Sequence, residues 1–119
     1  MSSASAWPTE LRLVKDRKTL VVSFDNGEAY ELAAEYLRVV SPSAEVQGHS
    51  PAERKLQFGK SNVEIIGLEP VGNYAVRILY DDLHSSGLYV WDYLRTLGRE
   101  QETRWAAYLA ELETAGKSR

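Results

Sequence analysis

A chain of 119 residues has the length of one domain, and 44% apolar with 26% charged residues is the balance of a globular protein with a real core. Fourteen Lys and Arg against seventeen Asp and Glu leave a net charge of −3, which argues against a binder of the nucleic-acid backbone. No stretch approaches the ~20 apolar residues of a membrane span, and residues 1–10 have no basic region followed by an apolar one, so the chain reads as cytoplasmic. It has no cysteine, which excludes disulfides, thiolate metal ligation and cysteine nucleophiles.

Residues 1–6 are small and polar without periodicity. They read as a loose leader, with Trp7-Pro8 opening the ordered part, residues 1–10 flexible and the domain proper spanning 11–115. Leu11 and Leu13, then Leu20, Val22 and Phe24, alternate with other residues across Asp16-Arg17-Lys18, the pattern of a hairpin. Asn26-Gly27 is a strong hairpin signal and predicts a third strand over 28–32. The period then changes, because Ala33, Tyr36, Leu37 and Val40 share one helical face, which Ser41-Pro42 stops. Residues 41–62 read as a long, partly irregular loop.

Strand character returns at 63–68 and at 74–80 around a turn at 69–73, which predicts an antiparallel pair. A short strand at 87–90 leads into a helical segment from Trp91 that is expected to end at Gly98, a natural C-cap. In the last helix, residues 100–115, Trp105, Tyr108, Leu109 and Leu112 form an apolar stripe facing the sheet. Residues 116–119 are expected to fray. The order of elements predicts a small single-domain α+β fold, an antiparallel sheet built of hairpins and packed with two to three helices.

Catalytic patterns are sparse. Ser85, His84 and Asp82 are sequence neighbours, an arrangement that rarely holds triad geometry, and no Gly-x-Ser-x-Gly elbow is present. No Gly-rich phosphate loop sits between a strand and a helix. The two histidines, His49 and His84, with Asp81 and Asp82 beside the second, are the residues available for a carboxylate–histidine metal site, although their spacing guarantees no cluster. Tyr89, Trp91 and Tyr93 supply either core area or, if exposed, a patch for a protein partner.

Two segments carry a resemblance, Tyr36-Leu37-Arg38-Val39-Val40-Ser41-Pro42-Ser43-Ala44-Glu45-Val46-Gln47-Gly48-His49 and His84-Ser85-Ser86-Gly87-Leu88-Tyr89-Val90-Trp91-Asp92-Tyr93-Leu94. Over about residues 11–98 the chain resembles the DUF971 family, also called the gamma-butyrobetaine hydroxylase-like N-terminal domain. In the eukaryotic hydroxylases this domain precedes a separate oxygenase domain that holds iron, 2-oxoglutarate and substrate. The 119 residues leave no room for that domain, and its His-x-Asp signature is missing, so the resemblance implies no hydroxylase activity.

In those hydroxylases a Cys-x-Cys-x-x-Cys run and a later histidine hold a structural zinc. The matching positions are Ser41, Ser43, Val46 and His84. With the thiolates gone, a tetrahedral zinc site is not expected and no cofactor is implied. In its place, Ser41 followed by Pro42 has the form of an N-cap with proline at the first helical position, ordering 42–47, with His84 bonded to that turn. Arg38 and Asp92 are the expected ion pair between the two motifs. The family-motif surface thus comprises Arg38, Ser41, Pro42, Ser43, Glu45 and His49 with His84, Tyr89, Trp91 and Asp92.

The domain also resembles a segment fused to P-loop ATPases of the iron–sulfur carrier type, which implies an accessory role in cluster or metal handling. The resulting expectation is a non-enzymatic protein-interaction domain, with such an ATPase as a candidate partner. It binds neither nucleic acid nor membrane and is a monomer or a weak homodimer through Trp105. The alternative is a zinc or iron protein using His84 with His49 and Asp81 or Asp82.

Overall fold

The computed structural model describes residues 6–14 and 16–119. Strands β1 (Pro8–Leu13), β2 (Thr19–Phe24) and β3 (Ala29–Ala33) form one antiparallel sheet in the order β1-β2-β3. Strands β4 (Ile65–Val71), β5 (Ala75–Tyr80) and β6 (Leu88–Val90) form a second in the order β4-β5-β6. Four helices accompany them among the described residues: α1 (Ala34–Val39), α2 (Ala44–Gln47), α3 (Trp91–Arg99) and α4 (Gln101–Ala115). The fold is α+β, as the order of elements predicts, with the hairpins divided between two small sheets and four helices rather than two to three.

The period-2 pattern acts as expected. In β2, Leu20, Val22 and Phe24 are buried while the residues between them are half-buried, and Leu20 pairs across the ladder with Leu32. In β5, Val76, Ile78 and Tyr80 turn to the core. These residues, with Tyr36, Leu37, Ile65, Tyr89, Leu94 and Leu97, make one continuous core. Val39, Tyr108 and Leu112 make a second, smaller cluster that seats α4 on α1.

Several boundaries move. β4 runs on through Glu69, Pro70 and Val71, so the turn shortens; proline is tolerated because β4 lies at the sheet edge, where its missing N–H costs no ladder bond. Helix α3 passes through Gly98 and stops at Arg99. Gly98 serves close packing and not chain termination, since a Cβ there would lie 2.4 Å from the Tyr30 ring. The loop 41–62 is more ordered than its composition indicates, carrying α2 and a 3-10 turn, Pro51–Glu53.

At the front of the chain, residues 1–5 lie outside the described residues, whereas Ala6 is in the core and Pro8 begins β1, so 6–10 are not a loose leader. Trp7 and Asp25 exchange bonds there: Trp7 N–H donates to the Asp25 carboxylate (3.1 Å) and Asp25 N–H to the Trp7 carbonyl (2.8 Å). At the other end the tail is tied down instead of frayed. Gly116 caps α4 in the left-handed conformation. Gly59 N–H then donates to the Ser118 carbonyl (3.0 Å), and Arg119 clasps Glu35 (2.7 Å).

Candidate functional site

The two family motifs meet in space. α1 ends at Val39, and the chain turns through Ser41 to Ser43, which starts α2. The cap of α2 is Ser43 and not Ser41: its hydroxyl accepts from Glu45 N–H (3.1 Å), and Ala44 is the first helical residue. Ser41 lies before the cap, wholly buried, and faces the second motif.

His84 receives it. Ser41 Oγ and His84 Nε2 are 2.9 Å apart, and His84 Nδ1 lies 3.1 Å from Glu45 Oε1. A carboxylate can only accept, so Nδ1 carries the proton and donates to Glu45, leaving Nε2 to accept from the Ser41 hydroxyl. Ser86 also donates to Glu45 (3.0 Å), so the 2.6 Å contact between Ser43 and Ser86 has Ser43 as donor. Gln47 Nε2 donates to the Ser41 carbonyl (2.8 Å) and completes a clasp between residues 41–47 and 84–86. Gly87 admits it, because a Cβ there would stand 2.5 Å from Ser41 Oγ.

Serine, histidine and glutamate linked in this order have the connectivity of a nucleophilic triad. Ser41 is 0% exposed, however, so its hydroxyl meets no substrate. Burial lowers the His84 pKa and the Arg38 guanidinium lowers it further, against the opposing pull of Glu45 and Asp82. The imidazole is held neutral as a structural link.

Below the clasp, Arg38 pairs with Asp82 rather than with Asp92: Arg38 Nε donates to Asp82 Oδ2 at 2.9 Å. Lys60 Nζ donates to the same oxygen (2.7 Å) and His84 N–H to the other (3.1 Å). Burial raises the Asp82 pKa, but these donors outweigh it and hold the carboxyl below its usual range. Asp92 lies exposed in the first turn of α3, where its charge suits the helix N-terminus.

The remaining candidates separate. Asp81 closes the end of the β4–β5 pair by accepting from Glu64 N–H (3.0 Å). His49 is exposed, and its N–H donates to Glu53 (3.0 Å). Pro42 is half-buried beside Gly87. Tyr89 is core: its hydroxyl donates to the Leu37 carbonyl (2.6 Å) and therefore accepts from Tyr80 (2.8 Å). Trp91 is half-buried, its indole N–H on the Asn73 carbonyl (2.9 Å).

Among the described residues, no three of His, Asp and Glu come together as a metal-ligand group, so His49, His84, Asp81 and Asp82 are not one site. The positions matching the zinc ligands of the eukaryotic hydroxylases do not fit zinc. Val46 offers no donor atom, Ser41 and Ser43 offer hydroxyls, and both His84 nitrogens are engaged.

Sequence reasoning missed Lys60, Ser86 and Leu83. Leu83 stands out: it is 87% exposed and has φ of 72°, the left-handed region, between Asp82 and His84. Its N–H donates to the Tyr80 carbonyl, and Tyr80 N–H donates to the His84 carbonyl, each at 3.0 Å, so the turn is closed around it. Nothing in the residue types Asp-Asp-Leu-His signals that conformation.

The protein-family model described as gamma-butyrobetaine hydroxylase-like, N-terminal, matches residues 11–95. Two NMR solution structures of proteins are similar over nearly the whole chain. One has 49% identity and a TM-score of 0.85, covering 98% of this chain and 91% of its own. The other has 44% identity and a TM-score of 0.84, covering 100% and 89%. A crystal structure of a protein of unknown function of the DUF971 family from Acidithiobacillus ferrooxidans has 32% identity and a TM-score of 0.64, covering 76% of this chain and 91% of its own. No curated protein matches. With 85 of its residues under that family model, the chain belongs to the gamma-butyrobetaine hydroxylase-like N-terminal, or DUF971, family.

Proposed function

We propose that this chain is a non-enzymatic docking domain of the cytoplasm, an accessory in iron–sulfur cluster or metal handling that works by presenting its His84 turn to a protein partner. The observation that carries this reading is Leu83. A left-handed conformation costs an ordinary L-residue about 1–2 kcal/mol, and leaving a leucine side chain in water forgoes its burial. Folding alone favours neither, and strain of this kind concentrates where a surface is recognised. The clasp through Ser41, Glu45 and His84 holds the turn in place, and the burial of Ser41 supports the non-enzymatic reading. Trp7 and Tyr74, 53% and 51% exposed around a cleft with Val90 and Trp91, offer further area for a partner.

The candidate partner is an ATPase of the iron–sulfur carrier type, a choice that rests on the fusion resemblance. Titration of such an ATPase with this protein in a calorimeter tests it. Leu83→Asn, which suits the left-handed turn better, is expected to keep or raise the melting temperature while weakening binding about tenfold or more. Absence of binding by the wild-type chain, together with no defined adduct from a photo-crosslinker at position 83 in cells, overturns the reading.

A further inference from the structure

On the side of the fold formed by α1 and α4 lies a groove of about 580 Å³, walled by Ala33, Tyr36, Trp105, Ala106 and Leu109. Its floor is Glu35, a carboxylate in a residue only 6% exposed. Among the described residues, Arg119 alone bonds to that carboxylate, through Nε at 3.1 and 3.3 Å and Nη2 at 2.7 Å. The same guanidinium lies 5.5 Å from the centre of the Trp105 ring, which stands edge-on to Tyr36.

A buried carboxylate beneath an aromatic wall is a receptor for a guanidinium. The planar fork binds both carboxylate oxygens while its face meets the indole, which an ammonium cannot reproduce. Arg119 fills the receptor from a segment beyond the Gly116 cap, with its own side chain half exposed, and the apolar groove continues beside it. Glu102 at the groove lining adds a second negative charge. A charge as buried as Glu35 requires a partner, but nothing requires that the partner come from the same chain.

We infer that this groove is a docking site for an arginine-bearing segment of a partner protein, and that Arg119 occupies it in cis as a displaceable plug. The incoming arginine pairs with Glu35 against Trp105, and an apolar neighbour lies along Ala106 and Leu109. The tail then regulates access, since a partner must outcompete it. This inference rests on the docking reading above, but it involves neither Leu83 nor an ATPase, so each fails or stands separately.

The test is an NMR titration of the full chain carrying Arg119→Ala with the peptide acetyl-Lys-Ser-Arg-amide, observed at the indole N–H of Trp105. Trp7 and Trp91 report that the fold is intact. The expected result is a saturable shift of the Trp105 signal with affinity about tenfold tighter than in the wild-type chain, and about tenfold tighter than for acetyl-Lys-Ser-Lys-amide. Adding Glu35→Gln to the Arg119→Ala chain should abolish it. If Arg119→Ala does not fold, Arg119→Lys, which keeps the charge but not the fork, takes its place in the same titration. No saturable shift up to about 10 mM peptide, equal response to the lysine peptide, or binding that survives Glu35→Gln overturns the inference.

Discussion

Arg38 and Asp82, 44 positions apart, meet through a 2.9 Å hydrogen bond that fastens α1 to the turn carrying His84. The arginine side chain is 8% exposed and the aspartate 23%, so the pair is shielded from the solvent screening that makes surface ion pairs weak. Lys60 and the His84 N–H share the same carboxylate, which makes Asp82 the junction of three segments.

Removing one member of such a pair leaves the other charge buried and unpaired. Asp82→Ala is expected to destabilise the fold by about 3 kcal/mol, whereas Asp92→Ala, at an exposed position, should stay within about 0.5 kcal/mol. Urea unfolding of both variants measures the difference, and equal midpoints would remove Arg38–Asp82 from its place in the fold.

The neutral His84 makes stability depend on pH with a definite sign. Its pKa in the fold is lowered from the ordinary 6.5, so between that value and the lowered one the unfolded chain binds more protons than the folded one. Stability is therefore full above about pH 6.5 and falls as the pH drops through the lowered pKa. Unfolding midpoints between pH 8 and 5 should show this loss in the wild-type chain and a flatter profile in His84→Asn, at roughly the same protein concentration throughout.

Gly98→Ala tests the packing of α3 on β3. Alanine favours a helix over glycine by about 1 kcal/mol, but the added methyl meets the Tyr30 ring at 2.4 Å, and overpacking of this kind costs about 1–3 kcal/mol. The expected outcome is a lower melting temperature; a higher one would mean that the ring moves aside freely.

The match of Ser41, Ser43 and Val46 to zinc-ligand positions is testable by placing thiolates there. Ser41 and Ser43 already stand within the clasp that holds His84, and Val46 lies one helical turn along α2. The triple variant Ser41→Cys, Ser43→Cys and Val46→Cys is expected to bind about one equivalent of zinc and to melt higher with metal than with chelator. The wild-type chain is expected to melt alike in both, as read by thermal unfolding and elemental analysis.

The hairpins and the long last helix were legible in the sequence because each rests on a local period, alternation in β2 and β5 and the 3.6 spacing in α4. The division into two sheets was not, and on the α4 stripe Leu109 is exposed while Tyr108 and Leu112 pack with Val39 of α1 and not on a sheet. What failed was long-range. Gly98 has the look of a terminator, and only the approach of Tyr30 from another element explains why it stays inside the helix. Ser41-Pro42 has the form of a cap, yet the helix starts two residues later than that form implies: the Ser41 hydroxyl donates to His84 and accepts from Ser43 N–H (3.3 Å), and Ser43 is the cap. His84 was expected to bond to the turn after Ser41 and it does reach that segment, but that its partners are Ser41 itself and Glu45 was not visible from spacing. Arg38 had Asp92 and Asp82 as acidic partners within the second motif or just before it, and only the fold chooses between them.

The clasp between residues 41–47 and 84–86 is made of oxygen and nitrogen alone, in a chain that has no cysteine. None of its members lies on the thiol oxidation ladder. The shape of the His84 turn should therefore be indifferent to peroxide, reductants and metal scarcity. A turn held by thiolates and zinc would depend on those same conditions, so this clasp keeps its shape where a metal-held one would lose it.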